Sequence, residues 1–436
     1  MRSTRTLAVL VLALMLPWFP GCSSPTPTAA PIATPSPTIA PTPAATASAA
    51  AADLDNLLRE IENTHPDPWH GIAREEWVAQ MEALKAALPG LSPDESYVEL
   101  CRLVALLSRE GRDGHQFTIP FDGVEGPVLP FRTYEFEEGV FITDAMPGYE
   151  DLVGKQIVGL NGRAIDDVLD TLEPLIPRDG PQTVPGFRTI FLLRMSVLRG
   201  LGLAGDGAVA LDVAGHDGVV ETVSVEPAEW PAWRAFAGDF GIALPTRADT
   251  MYLSRPGPSL WWRELSDANA VYVRYEAVQS IATSEALEIA DAASAAGVEK
   301  VILDLRQNPG GDNHFFELLL SLLQGEAINR PGHLYVMTDR ITFSAASNFA
   351  TSMEQRTSAL FAGEEMGGGL NFWNDVNWVD LPHWPTPSRV GVSTRYWQFA
   401  GRDDMRVTIT PDIAVPVTAA DYFADRDPAL EAVLAD

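Results

Sequence analysis

The sequence predicts an α/β protein whose C-terminal half is built on a largely parallel sheet, and three observations carry that prediction. From about residue 265 strand-like and helix-like runs alternate: strands over 270–275, 301–305, 333–337 and 359–362, helices over 284–296, 315–323 and 344–356. The spacing between those runs suits right-handed crossovers between parallel strands. Hydrophobic residues make up 46% of the 436-residue chain, enough to bury a full core and to exclude wholesale disorder. The length suggests two or three domains.

The N-terminus reads as a targeting signal over 1–22. Arg2 and Arg5 supply positive charge, and residues 7–16 form an apolar run too short to span a bilayer comfortably. Phe19-Pro20-Gly21-Cys22-Ser23 resembles a bacterial lipobox, which implies cleavage before Cys22 and lipidation of its thiol. The alternative is an ordinary secretory signal cut a few residues away. Residues 23–52 are nearly all Pro, Thr, Ala and Ser and read as an extended tether. No later segment approaches eighteen uninterrupted apolar residues, so no internal membrane span is expected.

Residues 53–124 predict a helical subdomain. Asp53 can cap a helix with the stripe Leu54, Leu57, Leu58 and Ile61, and a second helix runs through Trp77, Met81 and Leu84 to Pro89-Gly90. The third opens with Ser92-Pro93 and Glu95, a capping box. Cys101 lies on it among apolar residues and reads as packing. Residues 125–230 predict a β-rich module: strands over 133–136, 140–143 and 156–160, the Asn161-Gly162 turn, a helix through Ile165, Val168, Leu169 and Leu172, then β-rich sequence over 209–225. The Trp/Pro-rich stretch 229–262 reads as a connection, and 231–436 as the core domain.

Two loops stand out for chemistry. Asp304-Leu305-Arg306-Gln307-Asn308-Pro309-Gly310-Gly311-Asp312 follows one buried strand, and Thr338-Asp339-Arg340-Ile341-Thr342-Phe343-Ser344-Ala345-Ala346-Ser347 follows the next. In a βαβ unit both lie at the carboxyl ends of neighbouring strands, where open α/β sheets bind ligands. Paired glycines free the backbone to turn and offer unhindered N–H groups, and Ser344 sits at a helix N-terminus among small residues. That pattern fits a nucleophile beside an oxyanion site, and equally a helix cap beside a structural turn.

A nucleophilic serine needs a base. The lysines are Lys85, Lys155 and Lys300, so none follows the serine. Of the seven histidines, His115 lies in the turn Asp113-Gly114-His115-Gln116, and His314 just after the glycine loop competes with it. His65 and His70 lack the His-Glu-x-x-His spacing of a zinc peptidase.

These segments, with Gly363-Glu364-Glu365-Met366-Gly367-Gly368 and Pro411-Asp412-Ile413, resemble the tail-specific (C-terminal processing) serine peptidase family of S41 type, in its tricorn-like and retinoid-binding-protein-like branch. The resemblance covers most of residues 53–436. It implies a ClpP/crotonase-like core, Ser344 as nucleophile, His115 as base, and an oxyanion hole from Ala345 with Gly310 or Gly311. It also implies an acidic residue near the C-terminus, for which Asp404 is chosen over Asp403, with Asp113 as an alternative orienter of the histidine. Gly114 stands where the branch has a serine that orients the histidine, Ser347 where an acidic residue is frequent, and Met366 where a threonine is usual. Residues 125–175 resemble a divergent PDZ-like module.

The expected function is an exported serine peptidase acting on a peptide or protein, without metal or organic cofactor, held to the membrane only by its N-terminal lipid. The rivals are a peptidase fold that binds peptide or small ligand without cleaving it, and an esterase on the same core. A net charge of −29 argues against a nucleic-acid partner.

Overall fold

The computed structural model describes residues 43–436 except 121–125, 239–240, 242 and 255–256. The signal segment with Cys22, and the tether up to residue 42, lie outside the described residues.

Helix α1 (Pro43–Thr64) begins upstream of the Asp53 cap expected from the sequence. The alanine-rich residues 47–52 explain the extension, because alanine is the strongest helix former and Pro43 sits in the first turn, where proline is tolerated. The last residues of the expected 23–52 tether are therefore helical. The Asp53 carboxylate instead accepts the His383 backbone N–H at 2.7 Å and lies 3.0 Å from His383 Nδ1. Helix α2 (Arg74–Ala87) buries Trp77, Met81 and Leu84. Helix α3 (Pro93–Ala105) opens with the expected capping box: Ser92 Oγ accepts from Glu95 N–H and the Glu95 carboxylate from Ser92 N–H. Burial pushes the Cys101 thiol up to about 12, which leaves it an inert packing group.

After β1 (Thr118–Pro120), the chain builds an antiparallel sheet in the order β2-β3-β4-β6-β7. Its strands are β2 (Phe131–Phe136), β3 (Gly139–Ala145), β4 (Gln156–Leu160), a short β5 (Arg163–Ala164) beside β4, β6 (Val209–Ala214) and β7 (Val220–Val225). Helix α4 (Ile165–Leu172) buries the four apolar residues the sequence aligned on one face. Helices α5 (Thr183–Leu193) and α6 (Met195–Gly200) occupy the stretch before β6. Helix α7 (Trp230–Ala237) lies within the expected connection, its Trp230 and Trp233 buried against this sheet.

The C-terminal half alternates as predicted: β8 (Leu260–Leu265), β9 (Ala270–Tyr275), α8 (Thr283–Ala293), β10 (Lys300–Asp304), α9 (Glu317–Leu323), β11 (Leu334–Thr338), α10 (Ala345–Arg356) and β12 (Leu360–Gly363). There follow β13 (Asn371–Leu381), β14 (Ser388–Gln398), β15 (Ile413–Ala414), α11 (Ala419–Phe423) and α12 (Pro428–Ala435). The central sheet runs β15-β12-β11-β10-β9-β8, parallel from β9 to β15, with β8 antiparallel at one edge. Asp304 and Thr338 end β10 and β11 on the same edge, so the glycine loop and the serine loop are neighbours.

The β13–β14 hairpin decides where the first third of the chain goes. Strand β1 pairs with β14, Thr118 opposite Val390, and Trp373 N–H donates to Arg112 O at 2.7 Å. The N-terminal helices share one buried cluster with Val379, Leu381, Trp384, Val390 and Val392. The expected 53–124 subdomain is thus built onto residues of the 231–436 segment. A three-residue strand cannot stand alone, so β1 takes its hydrogen bonds from that hairpin. Among the described residues no helix is long and apolar enough to cross a membrane.

Candidate active site

Ser344 stands immediately before α10 with φ 54° and ψ −125°, a backbone conformation that residues other than glycine rarely adopt. It is the one partly exposed residue in the otherwise buried run 341–353. A serine held on a sharp strand-to-helix turn presents its hydroxyl outward. Its Oγ accepts a hydrogen bond from Asn374 Nδ2 at 3.2 Å, on β13.

The strain is held by the two loops gripping each other. The buried Asp339 carboxylate accepts Gln307 N–H at 3.0 Å, Gln307 Nε2 at 2.6 Å, and Ile341 and Thr342 N–H at 3.0 Å. Phe343 N–H donates to Asn308 O at 3.0 Å, and Thr342 Oγ1 to Leu305 O at 2.9 Å. Arg306 pairs with Asp304 and, through both terminal nitrogens, with Asp427 at 2.7 and 2.8 Å, tying the glycine loop to the start of α12.

Gly310, at φ 108°, presses on the serine. A Cβ there would fall 2.6 Å from Ser344 Cβ and 2.9 Å from Ala345 N. Its own N–H is taken by Asn308 Oδ1 at 2.9 Å, because the asparagine folds back over the turn. Of the three expected oxyanion donors, Gly310 is thus already engaged. Ala345 N–H, at the first position of α10, points away from the helical ladder, and Gly311 lies against Val278, whose carbonyl would be 2.1 Å from an added Cβ.

His115 reaches this edge because residues 112–118 are held by the β13–β14 hairpin. Its ring stacks on Phe343 (4.6 Å between centroids) and Phe372 (5.4 Å). Neither ring nitrogen has a hydrogen-bond partner, and burial lowers its pKa to about 3. The bond to Ser344 is therefore not made in this conformation. Four of the other histidines are engaged with different partners: His314 is exposed against Asp312, His333 bonds Glu299 O, His383 meets Asp53, and His216 packs near Phe423.

Asp404 does not face His115. The turn around it folds the carboxylate onto Arg406, which also reaches Glu354 near the end of α10 opposite Ser344. The acid beside His115 is Asp179, which the sequence reading missed. It is fully buried, its Oδ1 accepts Gly114 N–H at 2.5 Å, and its Oδ2 lies 3.8 Å from His115 Nδ1. Burial raises its pKa to about 8. Asp113 turns the other way and is satisfied by His65, Gln116 and Ser393. In the sequence, Asp179 stands in Pro177-Arg178-Asp179-Gly180, a composition typical of turns. Asn374 carried no local signal at all.

His65, His70 and Asp113 bring donor atoms within 4.8 Å of one another. His65 Nδ1 accepts from Asp67 N–H at 3.0 Å, which puts the ring proton on Nε2, 3.0 Å from the Asp113 carboxylate. A cation there would have to displace that proton, so His65 and Asp113 read as a hydrogen-bonded brace, while His70 bonds Asp67 O through Nδ1.

No protein-family model matches the chain, and no curated protein matches its sequence. Solved structures do. Mature CPAF complexed with lactacystin aligns over 89% of this chain and 97% of its own, at TM-score 0.62 and 16% identity. A serine-to-alanine mutant of CPAF aligns over 89% and 96%, at 0.63 and 15%. The photosystem II D1 C-terminal processing protease aligns over 84% and 92%, at 0.41 and 17%. These neighbours are tail-specific, S41-type peptidases. At 15–16% identity the likeness to CPAF establishes a shared fold.

Proposed function

Starting from the fold shared with CPAF, we propose that this chain is a serine peptidase that hydrolyses peptide bonds with Ser344 as nucleophile and His115 as base. The observation that carries the proposal is Ser344 itself, an L-residue held at positive φ on a strand-to-helix turn, partly exposed amid buried neighbours.

In the acylation step the imidazole turns within its Phe343–Phe372 stack until Nε2 meets Ser344 Oγ. Catalytic hydrogen bonds commonly tighten only when substrate is present. Oγ attacks the peptide carbonyl carbon as its proton passes to Nε2. The oxygen that gains charge is met by Ala345 N–H, with Gly311 N–H and Asn374 Nδ2 beside it. The tetrahedral species collapses, the C–N bond breaks, and the leaving amine takes the proton from His115. Water then attacks the acyl ester with His115 again as base, releasing the acid and restoring the serine hydroxyl. An apolar pocket lined by Phe117, Ile119, Ile176, Phe187, Ile190 and Phe191 adjoins this edge, and the Phe187 ring lies 5.4 Å from Phe343. It suits an apolar side chain of the substrate.

The test is turnover of fluorogenic peptides by the purified full chain. Ser344→Ala should fall to background with unchanged melting, His115→Ala should also fall to background, and retained turnover in Ser344→Ala would end the serine-peptidase reading. One observation favours a second reading: Ser344 Oγ is held by Asn374 and His115 has no bonded partner, as in a peptide binder on the same fold. A folded chain that binds peptides but resists fluorophosphonates would support the binder.

Export and lipid anchoring at Cys22 belong to the same proposal. Arg2, Arg5, the apolar run 7–16 and the Gly21-Cys22 site support them. Incorporation of labelled palmitate that disappears in Cys22→Ala would bear this out, and a chain recovered without lipid would refute it.

A further inference from the structure

Three buried polar atoms without hydrogen-bond partners belong to one facing pair: Asp179 Oδ2, His115 Nδ1 and His115 Nε2. A buried carboxylate oxygen and a buried ring nitrogen each carry a desolvation penalty when left unbonded, and here they stand 3.8 Å apart. Closing that gap by about 1 Å makes a normal hydrogen bond and leaves Nε2 as the one ring atom still seeking a partner.

The carboxylate is not a mobile surface group that happens to point this way. Its Oδ1 is pinned by Gly114 N–H. Its backbone is pinned as well. Arg112 N–H donates to Asp179 O at 2.8 Å and Asp113 N–H to Arg178 O at 3.2 Å. Thr183 Oγ1 accepts from Asp179 N–H at 3.1 Å and donates to Gly367 O at 2.6 Å. Asp179 thus clasps the histidine's own segment and the 367–369 turn, where Gly368 packs against the serine loop. Gly114 is small for the same reason, since a Cβ there would lie 2.9 Å from Asp179 N and 3.1 Å from its Cγ.

We propose that Asp179 is the positioning residue for His115, its Oδ2 receiving Nδ1–H so that the lone pair on Nε2 is directed at Ser344. The inference rests on the Ser344–His115 reading above. It assigns the orienting acid to the loop between α4 and α5 rather than to Asp404. No covalent step is added: Asp179 fixes the tautomer and stabilises the imidazolium formed when His115 takes the serine proton. The charged group facing Asp179 is Asp113, which is occupied by His65, Gln116 and Ser393. The 367–369 turn and Thr183 present no titratable group.

Asp179→Asn keeps an acceptor for Gly114 while placing an amide where Oδ2 was. With a fluorogenic peptide it should lower kcat by at least about 100-fold with KM within about threefold, in a variant that still unfolds cooperatively. The wild-type rate should climb through pH 8 as Asp179 ionises, and that rise should vanish in Asp179→Asn. An unaltered kcat and pH profile in this variant, beside a dead Ser344→Ala, would overturn this assignment and leave the peptidase reading intact. A readout independent of turnover is 15N-histidine NMR, with the His115 signals assigned by their loss in His115→Gln. The Nδ1–H tautomer is expected above pH 8 in wild type, shifting toward Nε2–H in Asp179→Asn. An Nε2–H tautomer in wild type overturns the assignment even if the protein cleaves nothing.

Discussion

At the scale of single residues, Gly310 shows how backbone freedom serves the site. Its φ of 108° and its approach to the Ser344–Ala345 peptide leave no space for a methyl group. Gly310→Ala should therefore remove activity and lower stability by about 1–3 kcal/mol, read by peptide turnover and urea denaturation. Ser344, His115 and the glycine pair could be picked out in the sequence because each sits in a short pattern with its own chemical logic. Asp179 could not. Its importance comes from burial, and burial comes from pairing with residues 112–113, far away in the chain. Asn374 was hidden for the same reason, and Asp404 drew attention only by its place near the C-terminus.

At the scale of elements, the predicted alternation from β9 to β12 matches the structure closely, because long apolar runs and helix caps are local signals. The β13–β14 hairpin is not legible in the sequence. Its Asn, Asp and Trp residues obscure the strand period, and only the N-terminal helices and β1 supply the surface it is made to fit. That hairpin holds the segment that carries the base, so loosening it should disable the site from a distance. Trp384→Ala, at a fully buried ring in the shared cluster, should cost about 3–5 kcal/mol and slow fluorophosphonate labelling. Ser92→Ala, which breaks only the α3 capping box, should cost about 1 kcal/mol and leave labelling unchanged. If both variants labelled at the wild-type rate, the hairpin would not be positioning the base.

At the scale of the whole molecule, the buried His115 and Asp179 give stability a pH signature. The histidine pKa falls from 6.5 to about 3, so the folded state binds its proton less well and loses stability as pH drops from about 6.5 toward 3. The aspartate pKa rises from 3.8 to about 8, so stability is lost as pH climbs from about 4 to 8. The two slopes oppose each other between about pH 4 and 6.5. Above 6.5 only the aspartate slope remains, about 1.4 kcal/mol per pH unit at its steepest. The difference in unfolding free energy between wild type and Asp179→Asn should therefore change across pH 6.5–8, and a flat difference would contradict the shift. The fold class was legible at this scale because core strands announce themselves. The joining of the N-terminal helices to the C-terminal hairpin was not, since it depends on contacts some 280 residues apart, such as Asp113 with Ser393.

The central claim is that an imidazole from the first third of the chain serves a hydroxyl from the last third. The most direct measurement is a crystal structure of the chain after reaction with a fluorophosphonate. The account predicts a phosphonyl group on Ser344 with His115 Nε2 about 3 Å from Oγ or a phosphonyl oxygen. Modification of a different residue, or a Ser344 adduct with the imidazole still unpaired between Phe343 and Phe372, would contradict it.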